Sequence, residues 1–202
     1  MANEFKQRAQ ELIEAGRALY EHGMVPATSG NLSARLSDGS VAITVSGRHK
    51  GRLKPEDIMR VDAKGQSLDD RKPSAETLLH TQIYRRLSGT GAVLHPHSVN
   101  ATLLSRWHAC APVILQNYEL LKAFPGITTH ASKISVPVFG NDQNIERLAR
   151  EVDAYMSSHD SVYGYLIAGH GFYTWGATVD EALNRVEAFE FLFECEVRGA
   201  RP

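Results

Sequence analysis

The sequence predicts one α/β domain in which helices and strands alternate along the chain. Its 202 residues are enough for one sizeable hydrophobic core and short for two domains. A hydrophobic content of 43% with 22% charged residues is ordinary for a globular protein. Segments with helical periodicity alternate with short β-like runs, and several runs form hairpin-like pairs, so the sheet need not be purely parallel.

The first half of the chain begins with a helix and continues with strands. Apolar residues recur at helical spacing between Phe5 and Leu19, and a His-Gly pair at 22–23 ends the helix. NLSARL, VAITVSG and IMRVD read as strands, with SDGS as a hairpin turn. PSAETLLHTQIYRRLSG returns to helical periodicity, with Ser74 predicted as its N-cap and Gly89 beyond its end.

The second half continues the alternation. GAVLHPH is predicted as a strand, followed by a helix from Ser98 to about Trp107. PVILQ is a strand, NYELLKAF a short helix, and ISVPVFG a strand broken at Pro137. NDQNIERLAREVDAYMSSHD is an amphipathic helix, and VYGYLIAGHGFYTWG reads as two strands around a Gly-His-Gly turn. The last helix opens with Thr178 and Glu181 at capping-box spacing.

Charge and composition argue against several classes of partner. A net charge of −1 and a pI near 6.8 give no electrostatic reason to expect nucleic acid or an anionic membrane. The N-terminal segment lacks the apolar region of a signal peptide, and no window approaches the ~20 apolar residues of a membrane span. Cys110 and Cys195 lie far apart and outside any CxxC motif, which favours reduced, buried thiols. We therefore expect a cytoplasmic protein.

Three histidines are candidate metal ligands. Residues two apart on a strand share one face with Cα atoms roughly 6–7 Å apart, so His95 and His97 could bind one ion. Taken alone the pair is a weak indication, since such pairs also occur by chance. His170 lies between two glycines after an apolar strand, where it is either a third ligand or an exposed turn residue. Three histidines with one position left open are typical of a catalytic metal site.

Two glutamates are candidates for acid–base chemistry. Glu76 stands in the first turn of the helix that follows KPSA, and Glu119 follows the apolar run PVILQ. A glutamate at a helix N-terminus also interacts favourably with the helix dipole, so each position has a purely structural alternative.

Small loops suggest an anion site. TSGN at 28–31 and VSG at 45–47 could offer backbone N–H groups to an anion, and Ser74 stands at a helix N-terminus. Arg48, His49 and Lys50 would complement a negative charge, although each piece alone is ordinary turn chemistry. No P-loop or GxGxxG motif occurs, which argues against a nucleotide.

Taken in order, TSGNLSAR, ITVSG, KPSAE, HPHS and GHG resemble the class II aldolase/adducin family of zinc-dependent sugar-phosphate enzymes over nearly the whole chain. The resemblance implies a single domain over 1–202, with a central, mostly antiparallel sheet flanked by helices. It also implies a homotetramer with active sites near subunit interfaces and a small phosphorylated sugar as substrate.

The resemblance assigns the candidate residues to roles. One Zn²⁺ per subunit would be bound by His95, His97 and His170. The family's phosphate contacts correspond to Thr28, Gly30, Asn31, Ser46, Gly47 and Ser74.

The acid/base role divides the family. The aldolases use the glutamate that matches Glu76, whereas the dehydratases use one about two dozen residues after the histidine pair, which matches Glu119. TVSG and AGHG stand where aldolases usually have TPSG and ANHG, which favours a dehydratase. A sugar-phosphate aldolase or a pentulose-phosphate 4-epimerase is the alternative. A non-catalytic scaffold like the adducin head is a poorer match, because it should have lost the ligands that this chain keeps.

Overall fold

The computed structural model describes residues 2–108 and 111–200. Within these ranges the α-helices are α1 (Ala2–Glu21), α2 (Thr77–Arg86), α3 (Val99–His108), α4 (Ile145–Ser158) and α5 (Val179–Gly199). The strands are β1 (Asn31–Arg35), β2 (Val41–Thr44), β3 (Ile58–Val61), β4 (Ala92–His95), β5 (Val113–Gln116), β6 (Lys133–Val136), β7 (Val138–Phe139), β8 (Gly164–Ile167) and β9 (Gly171–Gly176). Short 3-10 helices span Lys50–Arg52, Pro55–Asp57 and Glu119–Ala123. None of the helices described is long and apolar enough to cross a membrane.

Seven strands form the central sheet in the order β3-β2-β1-β4-β9-β8-β7. Each neighbouring pair is antiparallel except β7 and β8, which run parallel because the chain crosses over through α4 between them. β5 and β6 form a separate antiparallel pair. The predicted α/β fold with a central, mostly antiparallel sheet flanked by helices is confirmed.

Alternation along the strands gives the sheet two buried faces. Leu32 and Leu94 lie on the face that is covered by α1, α3 and α5. Val93 and Tyr173 lie on the opposite face, covered by α2 and α4. The result is a three-layer arrangement in which polar residues on the second face point toward α2.

The start of α2 differs from the prediction. Ser74 was expected to cap the helix, but Glu76 occupies the N-cap position and Thr77 is the first helical residue. An isolated bridge between Val45 and Pro73 keeps the backbone extended up to this point, so the turn comes later. The Ser74 hydroxyl instead accepts a hydrogen bond from the Glu76 backbone N–H at 3.3 Å. The later start places Glu76 at the very tip of the helix.

The start of α5 agrees with the prediction. The Thr178 hydroxyl accepts a hydrogen bond from the Glu181 backbone N–H at 3.1 Å, and the Glu181 carboxylate accepts one from Ala177 at 2.9 Å. The first bond satisfies an N–H group that a helix start would otherwise leave unpaired, and the second fixes the residue before the N-cap, one position earlier than in a capping box. Cys195, near the other end of α5, is half-buried, and Cys110 lies outside the described residues.

Candidate active site

Sheet pairing brings the three predicted histidines together. His95 ends β4, His97 lies two residues further on, and His170 lies in the tight turn between β8 and β9, the strand that pairs with β4. The ring centroids of His95 and His97 are 4.6 Å apart, those of His95 and His170 5.1 Å, and those of His97 and His170 4.4 Å. The three rings therefore form one cluster at the end of the central strands.

Glycines permit this close approach. A side chain at Gly171 would place its Cβ 2.3 Å from the carbonyl oxygen of Pro96, the residue between His95 and His97. Gly30 has a φ of +74°, and a Cβ there would lie 2.6 Å from the carbonyl oxygen of His95. At both positions a larger residue would clash with the backbone around the histidine pair, which explains why glycine stands there.

Glu76 joins the histidine cluster from the tip of α2. Its Oε2 lies 3.5 Å from His95 Nε2 and its Oε1 lies 3.4 Å from His170 Nε2, while the Nε2 atoms of His95 and His97 are 2.9 Å apart. One ligand atom from each of the four residues lies within 4.8 Å of all the others. Metal bonds of about 2.0–2.1 Å in a tetrahedron put neighbouring ligand atoms about 3.3 Å apart. The three separations of 2.9–3.5 Å lie near this value, so the cluster has the size that a bound metal ion needs.

Protonation also suits a metal site. His95 Nδ1–H donates to the carbonyl of Phe172 at 2.8 Å, which leaves its Nε2 lone pair facing the cluster. Burial lowers the pKa of His95 well below its usual value and, together with the neighbouring histidines, lowers the pKa of His97 to about 3. Both rings are therefore neutral at physiological pH, the state that binds metal. The Nε2 atom of His97 lies 2.9 Å from that of His95, so a neutral His97 can donate its Nε2–H to His95, and a metal ion bound there would take the place of this proton.

A cleft of about 240 Å³ adjoins the cluster. Glu76 and His97 of the cluster line it. All six residues predicted to contact phosphate also line it, namely Thr28, Gly30, Asn31, Ser46, Gly47 and Ser74. Segments far apart in sequence thus form one cavity, rich in hydroxyl and amide groups, beside the histidine cluster. Their role in binding phosphate stays a prediction.

Lys50 is the basic residue in this cleft. Its side chain is buried, and its Nζ donates to the carbonyl oxygens of Thr28 at 2.8 Å and Arg48 at 2.6 Å. In the described part of the chain no carboxylate forms an ion pair with it, and burial lowers its pKa to about 8 despite the negative charge of Glu76. A buried ammonium group with only neutral partners favours an anionic ligand.

The two residues before Lys50 point elsewhere. Arg48 forms an ion pair with Asp57 at 3.1 Å, and the ring of His49 packs on the edge of Tyr20 with centroids 4.7 Å apart. Of the three basic residues that the sequence singled out, only Lys50 lines the cleft.

Glu119 lies apart from the cleft. It begins the 3-10 helix Glu119–Ala123, and its side chain is 73% exposed and forms an ion pair with Lys122 at 2.6 Å. The hydrogen bond from Lys122 lowers the pKa of its carboxyl group. Within one chain, Glu76 is thus the predicted acid/base candidate that adjoins the histidines, and Glu119 is not among the residues that line the cleft.

Comparisons with known proteins agree over nearly the whole chain. The sequence profile described as Class II Aldolase and Adducin N-terminal domain matches residues 10–197. A methylthioribulose-1-phosphate dehydratase of Methylococcus capsulatus is 66% identical over 195 residues, which is 96% of this chain and 95% of that protein. The crystal structure of YgbL from Escherichia coli superimposes with a TM-score of 0.83 at 27% identity, over 98% of this chain and 92% of the other. An L-fuculose 1-phosphate aldolase superimposes with a TM-score of 0.80 at 25% identity, over 97% and 88%.

Proposed function

Since this chain belongs to the class II aldolase and adducin family, we propose that it is a metal-dependent dehydratase of methylthioribulose 1-phosphate. The observation that carries the proposal is the 66% identity, over 96% of the chain, to a protein with that name. The product is 2,3-diketo-5-methylthiopentyl 1-phosphate, and the reaction is a step of methionine salvage. The cleft supports the proposal because the six predicted phosphate contacts and Lys50 line the same cavity as Glu76 and His97 of the histidine cluster.

The metal is proposed to be one Zn²⁺ per subunit, held by His95, His97 and His170 with Glu76 beside it. Three imidazole nitrogens, with a fourth position left open for substrate, are a ligand set typical of catalytic zinc. When bound, the metal supplies a Lewis acid for the negative charge that develops on substrate oxygens during proton removal.

The opposite end of the cleft is proposed to hold the substrate phosphate. Backbone N–H groups of 28–31 and 46–47, with the Ser74 hydroxyl, surround the anion, and Lys50 supplies a positive charge. This contact is remote from the reacting carbons, so it serves to fix the C3–C4 bond relative to the base.

The chemistry is removal of water between C3 and C4. A general base takes the proton from C3 and, in its protonated form, gives a proton to the C4 hydroxyl, which leaves as water. The resulting enol tautomerises to the 2,3-diketone. We propose Glu119 as the base, with Glu76 as the second candidate or as a residue that shapes the metal site. For Glu119 to act, its carboxylate must leave Lys122 and enter a cleft, either its own or that of a neighbouring subunit. The homotetramer implied by the family resemblance would provide such a neighbour.

The first experiment is turnover of methylthioribulose 1-phosphate by the purified, zinc-loaded protein. We expect formation of the diketone with loss of one water. Release of a triose phosphate and an aldehyde would instead identify an aldolase, and recovery of a C4 epimer would identify an epimerase. Absence of any conversion, with zinc bound at one per chain, would refute all three activities on this substrate.

A further inference from the structure

A chain of buried polar side chains runs from Glu76 into the protein between β1 and α2. Asn31 Nδ2 donates to Glu76 Oε2 at 2.7 Å, and Asn31 Oδ1 contacts His80 Nε2. His80 Nδ1 lies 2.7 Å from the Ser33 hydroxyl, which lies 2.8 Å from the Tyr84 hydroxyl. We call the five residues Glu76, Asn31, His80, Ser33 and Tyr84 the polar zipper.

The polar zipper follows from matched spacing of the two elements. Glu76 at the N-cap of α2 is followed at intervals of four residues by His80 and Tyr84 within the helix, and four helical residues rise by about 6 Å. On β1, Asn31 and Ser33 are two residues apart, which is about 6.6 Å along one strand face. Because the two steps are nearly equal, side chains from the helix and from the strand alternate along the chain of contacts.

Counting protons fixes the direction of each hydrogen bond. An ionised Glu76 only accepts, so Asn31 must turn its NH₂ toward the carboxylate and its oxygen toward His80. His80 must then donate from Nε2, which leaves Nδ1 as the acceptor for the single Ser33 hydroxyl proton. The hydroxyl of Tyr84 must in turn donate to Ser33. The whole polar zipper thus has one consistent arrangement of protons.

We propose that His80 is a positioning residue, whose Nε2–H orients the Asn31 amide so that Asn31 holds one carboxylate oxygen of Glu76 beside His95. Without this donor, the Asn31 amide can rotate and present its oxygen to Glu76, which repels the carboxylate. His80 itself does not contact the substrate. It fixes the position of the Glu76 carboxylate, whether that group acts as an acid/base or shapes the metal site.

Burial supports the required form of His80. The side chains of His80 and Ser33 are fully buried, and those of Asn31 and Tyr84 nearly so. Burial lowers the pKa of His80 to about 4, so the ring carries one proton at neutral pH. A neutral ring is the form that can donate from one nitrogen and accept at the other.

The test compares two substitutions of His80 that keep opposite halves of the ring. In His80→Gln the side-chain amide can reach the place of Nε2 and still donate to Asn31. In His80→Asn the shorter amide reaches only the place of Nδ1, so the contact with Ser33 is kept and the donor to Asn31 is lost. Thr81→Val is the matched control, because Thr81 is equally buried on α2 and its hydroxyl bonds only to the Leu78 carbonyl of the same helix.

We expect His80→Asn to lower kcat by about 10- to 100-fold with a smaller change in KM, the range typical of lost support behind a metal site. His80→Gln should retain most of the wild-type kcat, and Thr81→Val should retain nearly all of it. An equal loss of kcat in the Gln and Asn variants, with equal loss of thermal stability, would show that His80 only fills space and would overturn the proposal.

A second measurement does not depend on turnover, because the kinetic effect rests on the proposed function whereas the hydrogen bonds do not. A long-range ¹H–¹⁵N spectrum, with His80 assigned by its absence in His80→Gln, should show Nε2 protonated and Nδ1 bare at neutral pH. The Nδ1–H form or a doubly protonated ring would refute the polar zipper. If the wild type fails to convert methylthioribulose 1-phosphate but shows the Nε2–H form, the proposed function is wrong and the polar zipper stands.

Discussion

Replacing Gly171 by alanine should disrupt the metal site by a shift that the structure allows one to calculate. The added Cβ would lie 2.3 Å from the Pro96 carbonyl oxygen, 3.1 Å from a ring carbon of His97 and 3.2 Å from one of His95. A carbon–oxygen contact relaxes to about 3.3 Å, so Pro96 must move by roughly 1 Å relative to β9. Functional sites tolerate displacements of only about 0.5 Å, so a shift of this size would take His95 and His97 out of the arrangement with His170 that a bound metal needs.

The expected result is a fall of about 100-fold in kcat/KM for Gly171→Ala, as for other displacements of about 1 Å, with a loss of about 1–3 kcal/mol in the free energy of unfolding. Zinc per chain by atomic absorption and urea unfolding are the two measurements. Gly89→Ala is the control, because a Cβ there meets no atom within 4 Å. Wild-type zinc content and activity in Gly171→Ala would refute the idea that this crossing sets the metal geometry.

Three further results are expected. His97→Ala should fail to retain the proposed metal ion, measured as zinc per chain, because one of the three proposed histidine ligands is removed; one retained zinc per chain would contradict this. Glu119→Gln should lower kcat by about 10²-fold or more if it is the general base, with Glu76→Gln as the comparison, and unchanged turnover in the former would reassign the role. Binding of inorganic phosphate, followed by calorimetry, should weaken as pH rises above about 8, because Lys50 then loses its positive charge. Lys50→Met should bind phosphate more weakly and lack this pH dependence. An identical pH profile in both proteins would exclude Lys50 as a phosphate contact.

The fold could be predicted well because its information is local. Helical periodicity in segments such as 145–158 and turn residues such as SDGS fix the elements without tertiary context. The start of α2 was predicted two residues too early, at Ser74 in place of Glu76. A bridge to Val45, distant in sequence, keeps that segment extended, and no local pattern reports such a contact.

The sequence by itself identified the candidate side chains, because the motifs that hold His95, His97, His170 and the two glutamates are more specific in their order along the chain than any one of them is alone. Only the tertiary structure decided how they meet. Strand pairing brings His170 to His95, and the tip of α2 adds Glu76. Glu119 begins an exposed 3-10 helix and does not line the cleft of its own chain.

For the polar zipper too, the sequence shows the spacing of the residues, and the tertiary structure decides which of them face each other. Asn31 and Ser33 have strand spacing, and Glu76, His80 and Tyr84 have helix spacing, so each half is visible in the sequence. That the two halves face each other depends on how α2 lies across β1, which is set by packing of the cores on both faces of the sheet. Residue type and spacing are local properties of the chain, whereas the distance between two segments is decided by the packing of everything between them.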